Sequence, residues 1–107
     1  MSKVVHKKST KALTVSSDQV LDVLDVTNCN GVSVQLNGIA ATSGSMKLQY
    51  SNDSTNWEDI PSATSTLAAN EANIINTPNI YTGFVRALVT LAAGAGTYSY
   101  FMLGKER

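Results

Sequence analysis

Few residues in this chain could carry chemistry, and their spacing does not bring them together. His6 is the single histidine and sits among lysines near the N-terminus. A Ser–His–Asp arrangement needs its imidazole packed beside the nucleophile, which a polar terminal segment does not supply. Cys29 is the single cysteine. It cannot form an internal disulfide, one Cys and one His cannot build a zinc site, and a small buried or half-buried thiol is expected. Asp53, Glu58 and Asp59 lie close in sequence and could mimic the carboxylate pair of a glycoside hydrolase. In a hairpin loop their simpler roles are turn-making for Asp53 and solvent contact for the other two. Asp18, Asp22 and Asp25 suggest a cation site, but one charge per turn or pleat does not converge on an ion. No glycine loop precedes a helix to hold phosphate. The expectation is therefore a protein that is not an enzyme, with no cofactor and no metal.

The aromatic residues offer a different chemistry. Trp57, with Tyr50, Tyr81, Tyr98 and Tyr100, could form a sugar-stacking platform, because such rings present flat apolar faces with polar tips. The competing reading, and the one preferred, is a core tryptophan packed on Tyr50. Basic and aromatic residues are not interleaved, which gives no support to single-stranded nucleic-acid binding.

These residues must be positioned by strands. Met46, Leu48 and Tyr50 alternate with Lys47, Gln49 and Ser51, the period of two of a half-buried strand. Asn52 to Asn56 are all turn formers, and a return strand runs from Trp57 to a stop at Pro61. Val32, Val34 and Leu36 alternate with Ser33, Gln35 and Asn37 in a second strand. Residues 19–27 fit an amphipathic helix capped by Ser17, or a strand with Val20, Leu24 and Val26 on one face and Asp22 as the misfit. The short β-branched run and the turn signal after it favour a strand. Residues 62–65 read as a polar loop, 66–75 are weakly patterned, and Thr77-Pro78-Asn79 is a firm break. Two strands close the chain, 81–91 and 97–105, and both carry large apolar residues on both alternating sets, as a central or partner-covered strand would. Seven or eight short strands at hairpin spacing imply an all-β fold, a single antiparallel β-sandwich of jelly-roll type.

Residues 1–11 are expected to stand apart from the sandwich domain, 12–107, as a basic flexible arm. They hold Lys3, Lys7, Lys8 and Lys11, half of the chain's Lys and Arg, with only Val4 and Val5 to bury. The arm is either a solvated tail or an extension that grips a neighbouring subunit. Charged residues make up 15% of the chain, against a usual quarter or so, and the formal net charge is zero. Bulk electrostatics therefore offer nothing to nucleic acid or membrane, and no charge repulsion opposes self-association. No apolar run reaches the ~18 residues of a membrane span, and no apolar region follows the N-terminal lysines as in a secretory signal.

The stretch Leu48-Gln49-Tyr50-Ser51-Asn52-Asp53-Ser54-Thr55-Asn56-Trp57-Glu58-Asp59-Ile60 resembles a motif of small virion structural proteins of bacteriophages. That motif reads leucine-glutamine-x-serine-asparagine-aspartate-glycine-x-asparagine-tryptophan-x-aspartate-isoleucine. Phe84-Val85-Arg86-Ala87, Gly94-Ala95-Gly96-Thr97-Tyr98, Leu103-Gly104-Lys105 and Val32-Ser33-Val34-Gln35-Leu36 extend the resemblance over most of 32–105. It implies a small β-sandwich used in capsid decoration, tail or baseplate parts. Trp57 and Tyr50 would then anchor the hairpin to the core, and Asn52, Asp53 and Asn56 would tie its turn. Arg86 would pair with a carboxylate or sit at a subunit boundary. Ser54 replaces the motif's glycine, so the turn is expected to differ there, without positive φ. The implied partners are further copies of the chain, with a trimer as one option, and other virion proteins; a glycan is the alternative ligand. The implied location is the virion, after synthesis in a host cytoplasm.

Overall fold

The computed structural model describes residues 4–27 and 29–105. The described residues form eight strands: β1 (Val4–Leu13), β2 (Asp18–Asp25), β3 (Gly31–Asn37), β4 (Ser43–Ser51), β5 (Glu58–Leu67), β6 (Ala72–Pro78), β7 (Phe84–Ala93) and β8 (Gly96–Lys105). They make two four-stranded antiparallel sheets. Sheet A has the order β1-β8-β3-β6 and sheet B the order β2-β7-β4-β5. Sequence neighbours β1 and β2 lie in different sheets, as do β7 and β8, so the chain crosses between layers repeatedly in the manner of a jelly roll. The strands with two apolar faces, β7 and β8, are both internal to their sheets, as their pattern implied, alongside β4 and β3.

The core follows from alternation. Val32, Val34 and Leu36 of β3, Val85, Ala87, Val89 and Leu91 of β7, and Tyr98, Tyr100 and Met102 of β8 are all buried between the sheets. Each residue between them points outward, because successive Cβ atoms leave opposite faces of a strand.

Three expectations need correction. Residues 4–11 are not a free arm: they belong to β1, which pairs with β8 without a break from Val4–Lys105 to Leu13–Gly96. The sequence looked unfit for a strand because β1 is an edge, and an edge tolerates charge on its inward face. Lys7 and Lys11 share register rows with the buried Met102 and Tyr98. Pro61 does not end its strand. β5 runs through it, since an edge strand can spare the N–H that proline lacks. The ladder breaks there: Lys47 pairs with Thr64 and Gln49 with Asp59, and Ser62 takes φ of 63°. Tyr81 lies outside β7, in the preceding loop, and is 86% exposed.

Residues 18–25 are a strand, and their helical look has a cause. The β2–β7 register shifts between Val20 and Val23. The bulge changes the inward parity, so Leu21 and Leu24, three apart, are both buried.

Candidate interaction surface

Most of the expected site residues lie at the hairpin end of sheet B. The six-residue turn, 52–57, fixes the register Tyr50–Glu58 and Gln49–Asp59. Tyr50 shares the inward row with Val85 and packs against the core. Trp57 is two residues from the outward-facing Asp59, so alternation sends the indole to the outer face of the sheet. Trp57 is half-buried there rather than part of the core. The expectation of an interior wedge on Tyr50 is therefore wrong in its face.

On that outer face the indole meets Arg86, whose guanidinium carbon lies 4.5 Å from the ring centroid. Arg86 Nε donates to the side-chain oxygen of Gln49 at 2.8 Å. Gln49 Nε2 donates to Asp59 Oδ1 at 2.8 Å, and Lys47 Nζ meets Asp59 Oδ2 at 3.2 Å. The hydrogen bonds from Gln49, then Lys47, hold the Asp59 carboxyl below its ordinary range. An amide and an aromatic face thus do for Arg86 what a carboxylate was expected to do. The network links Trp57, Arg86, Gln49, Asp59 and Lys47 across the outer face of sheet B.

Asp53 organises the turn. Its Oδ1 accepts from the backbone N–H groups of Asn56 at 2.8 Å and Thr55 at 2.9 Å, and from the Ser51 hydroxyl at 2.8 Å. Its Oδ2 accepts from the Asn56 side chain at 2.8 Å. Asn52 Oδ1 accepts from Gly83 N–H at 3.2 Å and ties the turn to the β6–β7 loop. Ser54 adopts φ of 61°, so the turn keeps the left-handed residue that glycine supplies in the motif, contrary to expectation. The Ser51 hydroxyl, which accepts from Ser54 N–H at 3.0 Å, helps hold serine there.

The backbone donors of Asn56 and Thr55, with the Asn56 and Ser51 side chains, hold Asp53 far below the usual carboxylate range. A depressed folded-state pKa stabilises the fold fully above the unfolded value of about 3.9 and loses that contribution as pH falls through the folded value. Below that unfolded value, the stability of the wild type should therefore drop more steeply with acid than that of Asp53→Asn. Urea midpoints measured across the acid range check this; equal slopes would remove Asp53 from the role.

Glu58 and Asp59 are exposed, as is Asp53, and no cleft gathers the three. Among the described residues, no group of three or more His, Cys, Asp and Glu side chains is placed to hold a metal ion.

The lysines expected at an interface disperse. Lys3 lies outside the described residues. Lys7 Nζ pairs with Asp22 Oδ1 at 3.1 Å, and Tyr100 donates its hydroxyl proton to Asp22 Oδ2 at 2.9 Å, which closes the side of the sandwich between β1 and β2. Burial pushes the Asp22 carboxyl up, but the bonds from Lys7, Val23 N–H and Tyr100 outweigh it and leave it below its ordinary value. Burial, then Asp22, raises the Tyr100 phenol. Lys8 lies 5.8 Å from the Phe101 ring centroid, and Lys11 is half-buried.

The outer face of sheet A is of another kind. Its cross-strand rows read Lys8–Phe101–Gln35–Ile74, His6–Leu103–Ser33–Asn76 and Val4–Lys105–Gly31–Pro78. Val4 is 51% exposed, Ile74 48%, Phe101 38% and Leu103 37%. Gly31 leaves a gap in the last row, and an open groove of about 460 Å³ forms there, lined by Ser33, Asn76, Pro78, Leu103 and Lys105 among others. Phe101 and Leu103 were visible in the sequence as the second face of a two-faced strand. Ile74 and the groove were not, because they depend on which strands become neighbours.

No protein-family model matches the chain, and no curated protein is significantly similar to it in sequence. Solved structures share its fold. A protein of Bacillus endospore appendages, described as forming disulfide-linked pili, superposes with a TM-score of 0.54 at 16% identity, over 100% of this chain and 92% of that one. The SPBc2 prophage-derived protein YomS gives 0.51 at 13% identity, over 95% and 96%. At these identities the likeness is one of fold.

Proposed function

We propose that this chain is a non-enzymatic structural protein of a bacteriophage particle, in its simplest form a capsid decoration or cement protein, which associates with copies of itself and docks on other virion proteins. The outer face of sheet A carries the reading. Single exposed apolar side chains are ordinary, but Val4, Phe101, Leu103 and Ile74 occupy three successive rows of one sheet face, with Leu103 lining the groove, on a chain of zero formal net charge. The motif resemblance supports a virion part, and the neighbours support use of this fold in a prophage-derived protein and in a pilus-forming one. Such a protein strengthens a shell by adding contact area at many copies, each contact weak and the sum strong. The assignment is tested by mass spectrometry and electron cryomicroscopy of purified particles. Many copies with sheet A turned toward the shell are expected; absence from the particle refutes it.

A second reading, a carbohydrate- or receptor-binding module of a tail or cell surface, gains from one observation. Trp57 is half-exposed on the outer face, and Tyr81 is 86% exposed in the loop that Asn52 ties to the same turn. Because the indole lies outside the core, Trp57→Ala should keep the fold and cost about 1–2 kcal/mol, less than the ~3–5 of a buried aromatic. A glycan array probed with both forms separates the readings. Binding lost by the variant favours the module, and no binding by either removes it.

A further inference from the structure

A sandwich of two open sheets has four edge strands, here β1, β6, β2 and β5. Each exposes backbone N–H and C=O groups that could recruit another strand, and proteins blunt such edges with charge, proline or bulges. β1 carries His6, Lys7, Lys8 and Lys11. β2 carries Asp18, Asp22 and Asp25 and is bulged. β5 carries Glu58 and Asp59 and is broken at Pro61. β6, Ala72-Asn73-Ile74-Ile75-Asn76-Thr77-Pro78, has no charge, pairs with β3 residue for residue without a bulge, and holds proline only as its last residue.

We infer that β6 is a self-pairing edge, and that two copies of this chain join antiparallel along it, about a two-fold axis at Ile74, so that the two four-stranded A sheets become one continuous sheet. The inference rests on the self-association in the reading above and names its surface.

Charge selects both the strand and the partner. A two-fold contact sets a strand against itself, residue i facing residue j and j facing i. For β1 that brings lysines together, and for β2 aspartates, and like charges directly opposed are unfavourable. Lys7 and Asp22 moreover already satisfy each other within one copy. β6 meets itself without a penalty of this kind. Register follows from the faces: partners must share a face, so the axis passes through a residue position. At Ile74 the two exposed isoleucines become a cross-strand apolar pair, Ala72 faces Asn76, and Asn73 faces Ile75. A seven-residue edge buries little area, so the contact is weak alone and effective only in a many-copy assembly.

Sedimentation equilibrium of the full chain, up to millimolar concentration, tests this. The wild type should show a concentration-dependent dimer. Ile74→Lys and Ile74→Glu, at an exposed position, should each melt as the wild type does and weaken the dimer roughly tenfold or more, while an equimolar mixture of the two restores it. A second variant does not depend on those: Ala72→Glu with Asn76→Lys places opposite charges across the two-fold and should tighten the dimer. If the wild type dimerises and neither series changes it, the edge is wrong and self-association stands. If the mixture fails to restore the dimer, the register is wrong. If the wild type stays monomeric throughout, self-association itself falls.

Discussion

Gly44→Ala is expected to destabilise the protein by about 4 kcal/mol. Gly44 begins the long pairing of β4 with β7, next to a register shift at Ser43, and holds φ of 143°. That conformation is essentially reserved for glycine, and forcing a side chain into it costs about 1–3 kcal/mol. A Cβ there would also lie 2.2 Å from the backbone oxygen of Thr90 and 2.9 Å from the Cα of Leu91. Both obstacles are backbone of the central strand β7, so relief means moving the sheet, at a further ~1–3 kcal/mol. For a domain of this size the melting temperature should fall by roughly 15–30 °C. Gly31→Ala is the control, since its nearest atom would be Thr77 O at 3.7 Å and no strained φ is involved. Thermal melts of both variants check the contrast. A Gly44→Ala protein that melts with the wild type would mean that the β4–β7 junction is built differently.

Tyr98→Ala is expected to cost about 3–5 kcal/mol and Tyr98→Phe about 1–3. The ring is 0% exposed near the start of β8. Its hydroxyl donates to Gly94 O at 2.6 Å and accepts from the Thr42 hydroxyl at 2.9 Å. Thr42 Oγ in turn accepts from Ile39 N–H at 2.7 Å. One phenol thus fastens the β3–β4 loop to the β7–β8 turn inside the apolar core. Removing the oxygen alone leaves Gly94 O and the Thr42 proton without that partner, a larger loss than the bond itself. A double-mutant cycle of Tyr98→Phe with Thr42→Val should give a coupling of about 1 kcal/mol. A neutral Tyr98→Phe would contradict the network.

The parts legible in the sequence are those where one residue's fate depends on its near neighbours. β3 was readable because Val32, Val34 and Leu36 alternate without fault, and the β4–β5 turn because Asp53 and Asn56 act on backbone two or three residues away. Reading failed where a distant strand decides. Lysines in β1 concealed a strand that only an edge position permits. The bulge in β2 gave Leu21 and Leu24 the spacing of a helix. Trp57 reads as a core residue by its type, whereas its parity with Asp59 puts it on the other face. Ser54 holds a left-handed φ because the Ser51 hydroxyl, three residues back, supports it, a contact the motif's glycine does not signal. The candidate surface needs the order β1-β8-β3-β6, which alone places Val4, Phe101, Leu103 and Ile74 on one face.

Under the proposed function the two outer faces divide the labour: sheet B carries a linked polar network, and sheet A makes the contacts. Amide hydrogen exchange of the full chain, compared between dilute and concentrated solution, tests that division most directly. Added protection at high concentration should fall on residues 72–76 of β6, which face one another across the two-fold at Ile74, with the 52–57 turn unchanged. Protection that appears at the 52–57 turn instead, or exchange that is the same at both concentrations, would contradict it.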